Sequence, residues 1–213
     1  MTAQPTLNMP LPADTQNMLN IVRFAYEIGA ARHKPRSWQY NLNETMANVA
    51  EHCYRVTFLA MMLATMENAD PFRTAVIAMV HDTDEIRGMD LTPYQKPYMK
   101  LDSDKAVTDT FTGTPFANLC LSLFKEYKAK ESPESLCVKD ADILDAVLEL
   151  MEITERGSKY LEKIQHDMMT IRRESLRTES GKKVFDAIAS GHVGPWDWFL
   201  KGPSTFKDGT YGK

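Results

Sequence analysis

The chain has 213 residues and is poor in every residue type that would mark a specialised architecture. Its 3 cysteines form neither a disulfide framework nor a CxxC pair, so we expect a reducing, cytoplasmic location. Its 10 glycines and 11 prolines are too few for a collagen-like or low-complexity chain. It lacks the run of roughly 18 apolar residues that a membrane span needs and the basic-then-apolar start of a signal peptide. We therefore expect no association with a membrane.

A large excess of one charge is also missing. Lys and Arg together number 25 and Asp and Glu number 29, which gives a formal net charge of −4. A dedicated binder of nucleic-acid polymers or of anionic membranes would show an excess of basic residues. Because 43% of the residues are hydrophobic, the chain can instead bury a sizeable core, and its length suits one domain.

The pattern that is present is helical periodicity, and no segment shows the alternation typical of a β-strand. Capping residues and apolar stripes predict an all-α fold of roughly six to eight helices. We expect an irregular arm at 1–13, a single domain at 14–200 and a loose tail at 201–213. Predicted helices begin near 14, 71 and 114 and span 45–67, 132–157, 160–177 and 182–190, with a loop at 87–93.

Three features of these helices indicate a metal site. His52 lies on the apolar stripe of the helix at 45–67, although a lone histidine there is more often a hydrogen-bonded core residue. The pair His81-Asp82 ends the next apolar helix, where the turning backbone lets both side chains reach one ion. Asp142, like its neighbour Asp140, adjoins an apolar helix face. Either carboxylate could be a surface group, but one turned towards a core must be paired or bind a cation. Two imidazoles and two carboxylates suit Mn²⁺, Co²⁺, Fe²⁺ or Zn²⁺.

A second His-Asp pair provides an internal control. His166-Asp167 lies in a segment rich in Lys, Glu and Arg, so we interpret it as a solvated pair without a metal.

The order His52, His81-Asp82, Asp142 resembles that of the HD-domain metal-dependent phosphohydrolases. The surrounding segments, at 48–56, 81–85, 90–93 and 138–142, resemble the branch with the bacterial 5′-deoxynucleotidases and their eukaryotic relatives. The resemblance extends over roughly residues 15 to 165, with an HD core at about 45–155. It implies an all-α HD-domain helical bundle with a metal site between helices. One divalent ion would lie on those four side chains, with Co²⁺, Mn²⁺, Zn²⁺ or Fe²⁺ preferred and Mg²⁺ as a further candidate.

The resemblance also implies roles for residues near the ligands. Glu85 would polarise the attacking water or accept its proton, whereas the residues alone favour a surface acid in a charged run. Arg36 would orient the phosphate and Trp38 would close on the deoxyribose. Bacterial members place this Arg and Trp side by side, whereas Ser37 separates them here.

Three further residues complete the predicted substrate site. Asp90 and Thr92 match the family's loop that meets the sugar and phosphate, although a Thr-Pro turn would also account for this segment. Lys96 lies nearby and is predicted to meet an extended phosphate chain.

The resemblance to these phosphohydrolases leaves two substrates as alternatives. A 5′-deoxynucleotidase would convert a deoxynucleoside monophosphate and water to deoxynucleoside and phosphate. A triphosphohydrolase would convert a dNTP, for example dATP, to deoxynucleoside and triphosphate. Lys96, Lys100 and Lys105 would favour the longer substrate if they face the pocket.

Other functions rank lower. Phosphodiester chemistry on cyclic nucleotides usually comes with more histidines and a second metal. A non-catalytic HD-fold binding or regulatory module would be expected to lack a ligand or Glu85, whereas all five residues are present. The family also implies a homo-oligomer, with a dimer favoured.

Overall fold

The computed structural model of the chain describes residues 13–197, except for the side chains of residues 41 and 163–165. The predicted tail and almost all of the predicted arm lie outside these residues. Ten α-helices and one short 3₁₀ turn, Ala30–His33, follow one another within them. The helices are α1 (Ala13–Gly29), α2 (Trp38–Leu42), α3 (Val49–Met66), α4 (Pro71–Val80), α5 (Asp84–Arg87), α6 (Ser103–Phe111), α7 (Ala117–Ala129), α8 (Pro133–Glu155), α9 (Lys159–Ser175) and α10 (Glu179–Ala189).

The fold is all-α, as predicted. In the described part of the chain the only β-type pairing is an isolated bridge between Pro35 and Asn48. The count of ten helices exceeds the predicted six to eight because α2, α5 and α6 were missed. The first two have five and four residues, too short to show a helical period. Helix α6 opens with the polar segment 103–105, so the few apolar residues that follow do not form a recognisable helical pattern in the sequence.

Helix α8 lies at the centre of the bundle. Helices α3, α4, α7, α9 and α10 all pack against it. The main core consists of side chains that are almost fully inaccessible, such as Val56, Leu63, Ile77, Phe124 and Leu144. Burying one such aliphatic or aromatic side chain is worth about 1.5–3 kcal/mol. The core therefore fixes the register of α3, α4 and α8 against one another.

Caps fix where the helices of the core begin. Asn48 Oδ1 accepts a hydrogen bond from the Glu51 backbone N–H, and the Glu51 carboxylate accepts one from the Asn48 N–H. This capping box places His52 in the first turn of α3. Asp70 caps α4, which starts with Pro71 and ends at Val80. His81 and Asp82 therefore fall in the turn after α4, as the sequence predicted.

None of the described helices is both long enough and apolar enough to cross a bilayer.

Candidate metal centre

The four predicted metal ligands lie close together between α3, α8 and the end of α4. His52 Nε2 lies 3.3 Å from Asp82 Oδ2 and 3.5 Å from Asp142 Oδ1. His81 Nε2 lies 3.2 Å from the same oxygen of Asp82. Ligand atoms of His52, His81 and Asp142 all lie within 4.8 Å of one another. This spacing allows His52, His81 and Asp142 to share one ion. Asp82 belongs to a second such group, with Cys53 and His81, and its Oδ2 atom lies 3.2 to 3.3 Å from both imidazole Nε2 atoms.

The two imidazoles are oriented for metal binding. His52 Nδ1 donates to Asp145 Oδ2 at 2.6 Å, and His81 Nδ1 donates to the Ala78 carbonyl at 2.7 Å. These bonds leave both Nε2 atoms as the free nitrogens, and both are buried without a hydrogen-bond partner among the described residues. Buried polar atoms are almost always satisfied, so two such nitrogens facing two carboxylates indicate a binding site for a cation. Two nitrogens and two carboxylate oxygens fit a divalent transition metal.

Asp145 is held in turn by Arg55. The Arg55 side chain donates to the Asp145 carboxylate and to Glu152 Oε1. Burial disfavours the charged form of His52, but the hydrogen bond to Asp145 and the negative charge of the nearby Asp82 outweigh it and raise its pKa to about 9. Asp145 was missed at the sequence level. It follows Asp142 by three residues and therefore shares its face of α8, which is the signal that would have found it.

Negative charge is in excess at this centre. The Arg36 guanidinium is the cation among four carboxylates, with the shortest contact at 3.1 Å to Asp82 Oδ2. Glu85, Asp90 and Asp142 have oxygens 3.5 to 3.9 Å from it. Burial opposes the charge on Arg36, yet these acids raise its pKa well above the ordinary value. The carboxylates that surround Arg36 make this site electrostatically attractive to a cation.

The carboxylates divide into two groups. Burial works against ionisation of Asp82 and Asp142, but His81 next to Asp82 and Lys139 next to Asp142 lower both pKa values. Glu85 differs, since burial, Asp82 and Asp90 raise its pKa to about 9. Its Oε2 atom is buried and has no hydrogen-bond partner. Glu85 is therefore the acid at this centre that is free to hold or transfer a proton.

The predicted substrate residues surround the same centre. Arg36 and Trp38 line one cavity of about 530 Å³ together with Glu85, Asp90 and Lys96. Asp90 is anchored because its Oδ2 atom accepts a hydrogen bond from the Ser37 backbone at 2.9 Å.

Thr92 lies slightly apart. Its hydroxyl donates to Gln95 Oε1 at 3.1 Å within a turn, and it lines an adjoining cavity of about 210 Å³. That smaller cavity shares Ser37, Trp38, Pro93 and Arg172 with the larger one.

Several lining residues were not found from the sequence. The buried Tyr127 ring packs edge-on against the ring of His81 at 5.3 Å. The Arg172 guanidinium stacks over the indole of Trp38 at 5.0 Å. Lys128, Lys130 and Lys139 also line the larger cavity. Their positions depend on how α7, α8 and α9 pack, which no local motif records.

Two other sequence features lie away from the centre. Lys105 is paired with Asp109 on α6 at 2.5 Å and is not part of the cavity wall. The side chains of His166 and Asp167 are exposed on α9. In the described part of the chain, this pair belongs to no cluster of potential metal ligands.

Known proteins resemble the chain in sequence. A family model described as HD domain matches residues 28–183. The 5′-deoxynucleotidase hdd1 of Schizosaccharomyces pombe is 30% identical over 145 residues, which cover 63% of this chain and 72% of that protein. The 5′-deoxynucleotidase PM0747 of Pasteurella multocida is 31% identical over 138 residues, covering 57% of this chain and 70% of that protein.

Known structures share the fold. A solved structure from Magnetospirillum magnetotacticum, described as a predicted metal-dependent phosphohydrolase, superposes with a TM-score of 0.61. It covers 84% of this chain and 100% of its own, at 22% sequence identity. The family match spans most of the chain. The chain belongs to the HD-domain family.

Proposed function

We propose that the protein is a metal-dependent phosphohydrolase that removes the 5′-phosphate from deoxynucleotides. The observation that carries the proposal is the convergence of His52, His81, Asp82 and Asp142 around two buried, unpartnered imidazole nitrogens. The activity named for the relatives from S. pombe and P. multocida supports the same substrate class.

These four side chains would hold the ion, through both Nε2 atoms and one carboxylate oxygen each from the two aspartates. A divalent cation bound there would polarise a phosphoryl oxygen and lower the pKa of water. Co²⁺, Mn²⁺, Zn²⁺ and Fe²⁺ are the preferred candidates because the ligand set mixes nitrogen and oxygen. Asp145 fixes the orientation of the His52 ring by accepting its Nδ1 proton.

Two residues act on the reacting phosphate. A cation held by the four ligands would favour the ionised form of Glu85, which would then accept the proton of the attacking water at Oε2, a buried oxygen with no hydrogen-bond partner among the described residues. Arg36 lies 3.6 Å from Glu85 Oε2 and presents its guanidinium to the phosphoryl oxygens, where it stabilises their negative charge. Asp90 keeps Arg36 and the 37–38 backbone in place through its contacts with both.

Trp38 is assigned to the deoxyribose. Its indole lines both cavities and is held by the stacked Arg172. An indole packed on the 2′-carbon would leave a ribose hydroxyl buried without a partner, which costs about 1–3 kcal/mol. That cost corresponds to a roughly 5- to 150-fold preference for deoxyribose in kcat/KM. Thr92 and Lys96 complete the wall on this side.

The decisive experiment is phosphate release from a panel of deoxyribo- and ribonucleoside monophosphates with Co²⁺, Mn²⁺, Mg²⁺ and Zn²⁺. We expect metal-dependent release with the deoxyribose preference given above. Absence of release with every metal and substrate would refute the activity.

The sugar assignment has its own control. Trp38→Ala is expected to narrow the deoxyribose preference and to lower the rate for deoxynucleotides, whereas Trp38→Phe keeps an aromatic face and most of the preference. An unchanged ratio in Trp38→Ala would move sugar selection to another residue.

We further propose a cytoplasmic homodimer. Its support is that all three cysteines are free and that α3 presents an exposed apolar stripe of Tyr54, Phe58, Met62 and Met66. Leu63, next to Met62, is buried in the core, so this helix has both a core face and an exposed face. Light scattering of the wild type and of Met62→Glu tests the dimer, because a charge on this stripe is expected to yield a monomer. Cell fractionation tests the location.

A further inference from the structure

A thiol lies beside the candidate metal centre and has no role in the proposed reaction. Cys53 follows His52 in α3, and its side chain is half-buried. Its Sγ atom, a ring nitrogen of His81 and a carboxylate oxygen of Asp82 all lie within 4.8 Å of one another. These donors come from α3 and from the turn after α4, and they form a second group of potential metal ligands next to the first.

The imidazole in this second group has a nitrogen available for an ion. The His81 side chain is fully buried, and its Nδ1 donates to the Ala78 carbonyl at 2.7 Å. Its Nε2 has no hydrogen-bond partner among the described residues, and Asp82 Oδ2 lies 3.2 Å from it. An ion bound to this nitrogen is therefore within reach of both the carboxylate and the thiol.

The other two cysteines provide a contrast. Cys120 and Cys137 are buried in the main core, and neither belongs to a group of potential metal ligands in the part of the chain that the structure describes. Burial raises the pKa of both thiols, that of Cys137 to about 12, which disfavours the thiolate that a metal requires. Cys53 instead packs at the edge of a small apolar cluster with Val49 and Ile86, beside the metal centre.

The two ligand groups cannot each hold an ion at the same time. Both contain His81, and only Nε2 of its ring is free, because Nδ1 is bonded to the Ala78 carbonyl. One nitrogen lone pair coordinates one ion, so an ion held by Cys53 displaces an ion held with His52 and Asp142. The donor atoms decide which ion wins. The first group offers nitrogen and oxygen, whereas the second adds sulfur, which selects soft, thiophilic cations.

We propose that Cys53, His81 and Asp82 form an overlapping site for thiophilic divalent cations, whose occupation excludes the ion required by the proposed reaction. Three protein ligands and one solvent molecule would complete a four-coordinate geometry, as at open zinc sites. On binding, the bond between sulfur and hydrogen breaks, a bond between sulfur and the metal forms, and the proton passes to solvent. The inference goes beyond the proposed hydrolysis and rests only on the metal centre.

The first test uses the wild-type protein and needs no turnover. The protein loaded with Mn²⁺ is titrated with Cd²⁺, which is the thiophilic probe. We expect the ultraviolet sulfur-to-cadmium charge-transfer band to rise as Mn²⁺ is released, and electron paramagnetic resonance detects the free Mn²⁺. Absence of the band, or binding of Cd²⁺ without release of Mn²⁺, would overturn the overlapping site.

The second test removes the sulfur. Cys53→Ala should lose the charge-transfer band and raise the Kd for Cd²⁺ about 100-fold, while the Kd for Mn²⁺ changes by less than about threefold. Cys53→Ser keeps the size of the side chain and should lose the band as well. The matched control is Cys120→Ala, which removes a buried sulfur outside both ligand groups and should keep the band. Circular dichroism checks that each variant is folded.

Retention of the band in both Cys53 variants would assign the sulfur to another residue and overturn the proposal. Equal losses of Cd²⁺ and Mn²⁺ affinity would also overturn it, because Cys53 would then only support the fold around the centre. The proposed function is decided separately. Absence of phosphate release from the metal-loaded protein would refute the hydrolysis, while the band and the displacement of Mn²⁺ would still decide the overlapping site.

Discussion

Helix α8 carries two aspartates, two residues apart, that have opposite surroundings. Asp140 is fully buried, and its carboxylate accepts hydrogen bonds from the backbone N–H groups of Arg177 and Thr178 and from the Thr178 hydroxyl, at 2.7 to 3.1 Å. Asp142 faces the metal centre, where His52 Nε2 lies 3.5 Å away and has no hydrogen-bond partner. Both oxygens of Asp140 accept hydrogen bonds from the protein, whereas Asp142 accepts one from Lys139 at Oδ2 and faces His52 with Oδ1.

The difference shows how a structural polar cluster can be told from a binding site. At Asp140 the acceptors and donors match, and the result is a junction that ties the start of α10 to α8. The packing there is tight, since a Cβ atom on Gly181 would lie 2.5 Å from Asp140 Oδ2, so a side chain at that position would have to displace the carboxylate. At Asp142 the buried groups need a partner that the described residues do not supply. Unmet hydrogen-bonding capacity, rather than burial or charge alone, marks the site.

The largest expected contrast comes from replacing each aspartate by asparagine. Asp142→Asn should lose the metal and fall to background turnover, because the ion loses one of its four ligands. Asp140→Asn should keep both metal and turnover when rates are expressed per folded molecule. Metal content by mass spectrometry and phosphate release check the pair, with His166→Ala as a further control expected to match the wild type. Metal retention by Asp142→Asn would contradict the ligand assignment.

Glu85 allows a finer distinction within the site. Glu85→Gln should lower kcat by about 10²- to 10⁴-fold while the metal content stays at the wild-type level, because it removes a proton acceptor and not a ligand. Steady-state kinetics and metal analysis on the same preparation provide the measurement. Loss of the metal in this variant would make the role of Glu85 structural, and full activity would remove it from the mechanism.

The junction that Asp140 forms between α8 and the start of α10 is tested by measuring protein stability. Asp140→Ala removes the acceptor of the buried Thr178 N–H and hydroxyl and of the partly buried Arg177 N–H, so the free energy of unfolding should fall by about 3 kcal/mol. Urea denaturation measures the change. Saturating metal should still stabilise this variant, by about 2.7 kcal/mol at 100 times Kd, since the site remains intact. Failure of metal to stabilise Asp140→Ala would show that the two regions are coupled.

The smallest effect is expected at Asp145, which belongs to both categories. It is buried and hydrogen-bonded like Asp140, yet one of its partners is His52, a proposed metal ligand. Asp145→Asn should weaken metal affinity about 10- to 100-fold and leave some turnover at saturating metal. Competition with a chelator gives the affinity. Unchanged affinity would place Asp145 with the structural aspartates.

Local chemistry was sufficient for much of the fold. The cap at Asp70 followed by Pro71, and the cap at Ser132 followed by Pro133, mark helix starts that the structure reproduces. Helix α3 was predicted at 45–67 and observed at Val49–Met66, because an apolar stripe over several turns is a strong signal. Short helices such as α5 escaped because four residues give no period.

The sequence by itself determined the all-α class, the order of the principal helices and the resemblance that singles out His52, His81, Asp82 and Asp142. It could do so because helical periodicity and capping are local properties, and the predicted ligands lie in short sequence motifs that follow one another in a fixed order.

Only the tertiary structure decided which acid serves which purpose. It joined Asp145 to His52 across 93 positions, turned Asp140 towards α10, and separated Lys130 in the cavity from Lys105 outside it. Periodicity states which side of a helix a residue occupies, but not which helix packs against that side. That choice depends on the packing of the whole core.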